Sequence, residues 1–263
     1  MIDWISSTLG SYEWQLSLYA ALAVFILPVI ARHLFALVPA LKHTQQLNKD
    51  RAAEQVKKSF YMPIQNRSMA WGFFNILLMV VFVFPFCITG EPQPWWNIVL
   101  DCVVILMFYD FFYYLTHRFL FHDGGFGPGP LMSVHAVHHQ NKNPCRKDSN
   151  YLHPLETCIG LSLYGLSVAF LAFLMGDFHV ITLFVTWTVF SAINTHNHDL
   201  MEADHFPFKY LHYMSFMHHV HHNRFTSGNF ATITLFYDWL FGTYDTGQGW
   251  GKNRLEKNEL QEQ

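Results

Sequence analysis

The chain has 263 residues, of which 51% are hydrophobic, 17% aromatic and only 13% charged, a balance too apolar for an ordinary soluble domain and one that points to a membrane protein. Its formal charge of −3 and pI near 6.6 leave no basic excess to draw it to nucleic acid, which is excluded as a partner. The four cysteines, Cys87, Cys102, Cys145 and Cys158, form no C-x-x-C pair and read as reduced, structural residues.

In chain order, apolar windows fall at about 16–39, 69–90, 97–121, 158–175 and 179–195, and a membrane-spanning helix needs roughly 20 mostly apolar residues. The last two meet at Met175-Gly176-Asp177 and read as a tight helical hairpin that need not cross completely. The opening MIDWISSTLGSYEW is acidic and lacks Lys and Arg, so no cleaved signal is expected. The 40–68 connection carries Lys42, Lys49, Arg51, Lys57, Lys58 and Arg67, whereas EPQPWW at 91–96 carries no Lys or Arg. That asymmetry puts 40–68 on the cytoplasmic side, the N-terminus outside, and residues 118–157 and everything after 196 inside. The polar tail GKNRLEKNELQEQ reads as an exposed, frayed end.

The expected fold is all-α: an integral-membrane bundle of four to five transmembrane helices with a cytoplasmic, histidine-rich helical cap. Residues 1–95 supply the first membrane helices and the basic connection, 96–246 a catalytic region, and 247–263 the tail. Of 17 histidines, 14 fall in the regions assigned to the cytoplasmic face. His33, His43, His179, His205, His212 and His219 read as surface or hydrogen-bonded residues.

The others are spaced for a metal. HAVHH (His135, His138, His139) and HHVHH (His218, His221, His222) both contain H-x-x-H-H, and on a helix positions i, i+3 and i+4 share a face, so each motif is expected to present three imidazoles together. His117 and His122 are five apart, a poor helical spacing unless the helix ends between them, which the run DGGFGPGP supplies. NTHNHD adds His196, His198 or both. Imidazole ligates iron, zinc, copper or nickel, and nine donors exceed what one ion takes, which implies two metals with open positions.

These residues carry a resemblance. DFFYYLTHRFLFH (110–122) is similar to the D-x-x-x-Y-x-x-H-R…H signature of the fatty acid hydroxylase/sterol desaturase superfamily. HAVHH and HHVHH resemble its second and third histidine boxes, and YDWLFGTY (237–244) its closing W-D-x-x-F-G-T-Y segment, with Tyr237 in place of the tryptophan before Asp238. The similarity covers roughly 95–245. It implies a membrane-bound oxidoreductase that uses two irons and O2 to hydroxylate or desaturate a lipid C–H bond. It further implies His117, His122, His135, His138, His139, His218, His221 and His222 as iron ligands, with His196 as an additional one.

YLHPLE (151–156) also resembles a family segment, in which His153 and Glu156 either support ligands or cap a loop. Asp110 lies seven residues before His117 on the same helix face, with Tyr114 between them. An acid inside a membrane helix must face protein or water. Asp110, Asp199 or Asp238 is expected to orient ligand histidines by accepting the second ring N–H, the alternative for Asp238 being a helix or turn cap. The chain shows no nucleotide-binding G-x-G-x-x-G after a strand, no C-x-x-C-H and no iron–sulfur spacing. Electrons must therefore come from a separate reductase, ferredoxin or cytochrome docking on the cytoplasmic face, and the substrate is a lipid from the bilayer.

Two other readings compete. A membrane zinc hydrolase lacks the H-E-x-x-H that it needs. A metal transporter or histidine-rich metal-binding protein would place its ligands near the membrane midplane, whereas these cluster at helix ends.

Overall fold

A computed structural model describes residues 12–251; the first residues and most of the polar tail, with the readings made of them, lie outside that range. The chain is mostly helical, and four segments are long and apolar enough to cross a membrane: Trp14–Phe35, Tyr61–Phe86, Trp95–Phe121 and Pro154–Met175. Helix α1 is Trp14–Phe35, α2 Pro39–Gln55, α3 Tyr61–Phe82 and α4 Trp95–Thr116. A four-residue helix α5 (Met132–His135) precedes α6 (Pro154–Met175), α7 (Val180–His196), α8 (Phe208–Asn223) and the short α9 (Phe236–Leu240).

Local chemistry sets the ends. Pro39 and Pro154 occupy first helical turns, where a missing N–H costs nothing. The ring Nδ1 of His153 accepts from Leu155 N at 3.2 Å and caps α6, and His179 does the same for Ile181 N at the start of α7. Gly176, at φ +94°, ends α6 and makes the hairpin. At 22 residues α6 has the length to cross; α7, at 17, is shorter. At this end of the bundle Ile88–Thr89 (β1) pairs in parallel with Phe178–His179 (β2), Ile88 opposite Phe178.

The core lies among α1, α3, α4, α6 and α7 and is largely aromatic. Tyr164 stacks on Phe190 (4.8 Å, 14°) and gives its hydroxyl a partner in Thr186 Oγ1 at 2.9 Å, while Phe84 packs on Trp187. Helices α3 and α6 approach closely through small residues: a Cβ on Gly165 would lie 2.5 Å from Met79 Sδ.

The 40–68 connection is not a simple loop. Its helix α2 turns a polar face inward, burying Thr44, Asn48 and Gln55. Beyond α4 the chain does not stop before His122, as the glycine run suggested. It continues as a single π-helical turn, His117–Phe121, whose wider winding brings residues five apart to neighbouring positions and the His117 and His122 rings to 5.0 Å.

Asp110 sits fully buried inside α4 and accepts from Thr232 N (2.9 Å), Ile233 N (2.8 Å), Thr234 N (3.0 Å) and Thr234 Oγ1 (2.8 Å). It thus ties an irregular segment, 122 to 124 residues later in sequence, to the middle of a long apolar helix. Asp110→Ala is expected to orphan three N–H groups at about 1–3 kcal/mol each, lowering the thermal midpoint of the detergent-solubilised protein sharply. Asp110→Asn, which keeps an acceptor oxygen, should recover part of the loss.

Candidate metal centre

Nine histidines gather at one end of the bundle, in two groups. His117, His122, His135, His139 and His221 place one ring nitrogen each within 4.8 Å of one another; His138, His198, His218 and His222 do the same. Each H-x-x-H-H motif is therefore divided rather than presented as a triplet. The i,i+4 pairs stay together (His135 with His139, His218 with His222), and the i+3 member goes to the other group. On a helix i+3 and i+4 diverge by about 100°, so one short segment can face two centres.

Of the nine ligand histidines expected, eight converge and His196 does not. Its Nδ1 lies 3.0 Å from Asp199 Oδ2 and its Nε2 2.8 Å from the Leu211 carbonyl, so both nitrogens are engaged. His198, two residues on, takes the place in the four-histidine group. His33, His43, His179, His205, His212 and His219 all lie outside both groups.

The partners of the rings decide their chemistry. His117 Nδ1 donates to Phe230 O (2.7 Å), His122 to Phe225 O (2.9 Å), His138 to Tyr151 O (3.1 Å), His198 to Asn194 O (2.9 Å) and His221 to Gly228 O (2.8 Å). His135 Nδ1 donates to Glu156 Oε1 at 2.7 Å. A carbonyl oxygen cannot donate, so the proton must sit on Nδ1, and Nε2 is left as a bare lone pair. Yet His117 Nε2 and His135 Nε2 are 2.9 Å apart, and His138 Nε2 and His198 Nε2 3.0 Å apart. Two lone pairs at that distance repel, and a shared cation turns the repulsion into bonding.

The remaining spacings repeat the pattern. His135–His139 and His139–His221 measure 3.0 and 3.1 Å in the first group, His198–His218 and His218–His222 3.1 and 3.2 Å in the second. Ligand atoms at right angles on bonds of about 2.1 Å lie about 3.0 Å apart, whereas tetrahedral ones lie about 3.4 Å apart. The donor set fits octahedral ions, one with five imidazoles and one with four, better than tetrahedral zinc. His122 Nε2, buried and without a hydrogen-bond partner among the described residues, completes the first set.

Electrostatics keep the rings neutral, the form that binds metal. Burial depresses His122, His135, His139, His198, His218 and His222 well below the ordinary 6.5, neighbouring imidazoles adding to the effect, and burial lowers His138 and His221 to about 4.

The three acids expected on the ligand rings are not there. Asp199 binds the Arg146 guanidinium at two points, one of them Nε to Oδ1 at 2.6 Å, together with His196. Asp238 accepts from Phe230 N (2.8 Å), Ala231 N (2.8 Å) and Thr243 Oγ1 (2.6 Å), which is its capping alternative, and Asp110 holds residues 232–234. They act one step further out: Asp238 fixes the Phe230 peptide, whose carbonyl orients His117. The Tyr114 hydroxyl meets Arg118 Nη1 at 2.6 Å and Thr243 rather than a ligand ring. Among the described residues Glu156 is the one carboxylate that touches a ligand histidine, and His153 takes the capping role.

Sequence reasoning missed the clamp around His198. Asn48 Oδ1 accepts from Arg146 N (2.8 Å) and Leu200 N (3.1 Å), and its amide donates to Leu200 O (3.0 Å). With Arg146 on Asp199 it fixes the turn that presents His198. Nothing in a polar, basic stretch marks one asparagine for this role.

Two cavities meet the histidines. One of about 400 Å³ runs from exposed Phe25, Met69 and Phe73 past Tyr113 to His117, His135, His138, His198 and His218. The second, about 280 Å³, lies between Tyr213, Met214 and Leu235 and shares His218, Ala231 and Thr232 with the first.

The family model for fatty acid hydroxylase matches residues 102–243. This chain belongs to the fatty acid hydroxylase family. It is 30% identical over 163 residues to the very-long-chain aldehyde decarbonylase GL1-8 of Oryza sativa subsp. indica, a match covering 58% of this chain and 55% of that one. It is 30% identical over 159 residues to methylsterol monooxygenase 1 of Rattus norvegicus (58% and 50%) and 29% identical over 185 residues to methylsterol monooxygenase 2-2 of Arabidopsis thaliana (65% and 62%). The matched stretches span about half to three fifths of the length of these relatives. No solved structure matches. The four long apolar helices and the family make the chain an integral membrane protein.

The lowered histidine values set a pH dependence. Below 6.5 the unfolded chain binds protons that the folded one refuses, so stability is whole above 6.5 and falls toward pH 4, by roughly tenfold in the folding constant per pH unit for each such ring. Thermal melts between pH 7 and 5 should show this steep loss, and added metal should oppose it. Asn48→Ala should lower the melting temperature by loosening residues 146 and 200, a cost of about 1–3 kcal/mol.

Proposed function

We propose that the protein is a membrane-bound di-iron oxygenase that hydroxylates or desaturates a C–H bond of a lipid, using O2 and two external electrons. The observation that carries this reading is the division of nine imidazoles into groups of five and four with right-angle spacings. Among the described residues no thiolate joins the site and Glu156 is the only carboxylate on a ligand ring, which suits a redox-active first-row ion. His117, His122, His135, His139 and His221 would hold one iron, and His138, His198, His218 and His222 the other. When bound, the pair supplies the activation of O2 and the oxidation of the C–H bond.

The protein's own share is orientation and exclusion. Carbonyls of Phe230, Phe225, Gly228, Tyr151 and Asn194, and the Glu156 carboxylate, hold the Nδ1 protons of six of the rings so that their Nε2 atoms point inward. The larger cavity, rimmed by exposed Phe25, Met69 and Phe73, gives an apolar substrate a path from the bilayer to the His117, His135 and His138 rings while its aromatic walls keep bulk water out. A methylsterol and a very-long-chain aldehyde, the substrates named in its relatives' descriptions, are both long apolar molecules. The basic 40–68 connection supports a cytoplasmic position for the histidine end, where a separate reductase, ferredoxin or cytochrome would deliver electrons.

Metal analysis of the purified chain should return about two irons per molecule; a stoichiometric zinc content would count against the reading. His138→Ala should lose iron from the four-histidine group and abolish product formation in lipid extracts compared by mass spectrometry. His196→Ala should keep most of the iron, because both of its nitrogens face protein groups.

A further inference from the structure

The C-terminal segment that carries Asp238 bears a feature unrelated to holding metal. Helix α9 and the residue after it, Phe236–Phe241, expose Phe236, Trp239, Leu240 and Phe241, with Trp239 69% exposed, while their only charge, Asp238, is fully buried. Such a face needs a partner.

Its level along α4 identifies that partner. Tyr237 Oη donates to Met107 O at 3.0 Å, the Tyr237 ring lies 5.3 Å from Phe111, and the Phe241 ring stacks 5.3 Å from Tyr114. The exposed Trp95 and Trp96 at the start of α4 mark one interface of the bilayer. At about 1.5 Å per residue, Met107, Phe111 and Tyr114 lie roughly 16, 22 and 27 Å beyond Trp96, all within a hydrocarbon layer of about 30 Å, and any tilt draws them further in.

The backbone gives a second, independent indication. Non-helical chain survives in hydrocarbon only where its polar groups are satisfied by protein. Here two buried carboxylates do that: Asp238 takes Phe230 N and Ala231 N, Asp110 takes Thr232 N, Ile233 N and Thr234 N, and Thr234 Oγ1 takes Phe236 N. After α9, Thr243 N and Tyr244 N close on Asp238 O. Water can serve such groups at a surface, whereas in hydrocarbon only protein acceptors can.

We propose that residues 230–244 form a re-entrant wedge sunk into the leaflet on the histidine side, with Phe236, Trp239, Leu240 and Phe241 in contact with lipid acyl chains. The smaller cavity, lined by Leu235 and Tyr213, then opens beside acyl chains rather than beside water. The wedge does not depend on which metal or reaction the site supports.

The test uses the full chain in phosphatidylcholine liposomes, with Leu240→Cys labelled by an environment-sensitive fluorophore in a Cys102→Ala, Cys158→Ala background. Lipids carrying a nitroxide part-way down one acyl chain should quench the label about twofold, and aqueous iodide should leave it nearly unchanged, because the site is within the hydrocarbon layer. Lys49→Cys, on the exposed polar face of α2, should show the reverse. Quenching by iodide alone would overturn the proposal, and so would protection from both quenchers, which would mean that protein covers the face. A lipid-soluble carbene reagent on the unsubstituted chain provides the check if labelling disturbs folding: modification of 236–241 at the level of the 97–104 segment of α4 supports the wedge, and its absence there overturns it.

Discussion

The rest of the site depends on where one proton sits on each ring. A free histidine exchanges its proton between two nitrogens, and nine free histidines in a small volume would hydrogen-bond to one another and collapse. Here the proton is held on Nδ1 by a backbone carbonyl in five cases and by Glu156 in a sixth. On these six rings Nε2 is left as an acceptor, and the facing pairs His117–His135 and His138–His198 have no proton to share between them. Burial removes the other escape, protonation, by holding the rings far below their usual range. What is left is a set of facing lone pairs that a cation satisfies.

That set must be held up by the fold, because carbonyls orient rings only if their peptides are fixed. Phe230 O is fixed by Asp238 on its own N–H, and the following residues by Asp110. Tyr151 is held by stacking on Tyr61 at 4.9 Å, whose hydroxyl binds Asp148. The turn bearing His198 is clamped by Asn48 and the Arg146–Asp199 pair. Buried charges are expensive in an apolar bundle, and these acids are spent on backbone N–H groups and a guanidinium, one layer outside the rings. A carboxylate on every ligand would have added negative charge to each centre; neutral carbonyls set the same tautomer without it.

How much of this was legible in the sequence follows from what each signal encodes. Apolar runs report membrane helices because length and hydropathy are local, and all four long spans were visible. The H-x-x-H-H spacing reported that imidazoles would meet but not how they would be shared: the 100° between positions i+3 and i+4 decides the split only once a second segment faces the first from the opposite side. His117 and His122 looked incompatible with a helix because 3.6 residues per turn was assumed, and the π turn removes that assumption. His196 against His198 depended on a turn geometry set by Asn48, some 150 residues away in sequence. Asp110 stands out in the sequence as an acid within an apolar run, yet its partners, three consecutive backbone amides, carry no residue-type signature at all.

The two-centre arrangement also explains why so much of the chain is needed to build so small a site. Four separated segments supply the nitrogens, the π turn after α4, the α5 region, the end of α7 and α8, and a fifth, the stretch from 225 to 230, supplies carbonyls that orient them. HAVHH and HHVHH each contribute to both groups, so displacement of either would alter both at once. Adjacent residues in the two motifs, His138 beside His139 and His221 beside His222, bridge the centres through single peptide units, and His139 and His222 stack at 4.7 Å. The spacing between the two groups of nitrogens is thereby limited by covalent geometry, which would suit chemistry in which two metals act on one molecule.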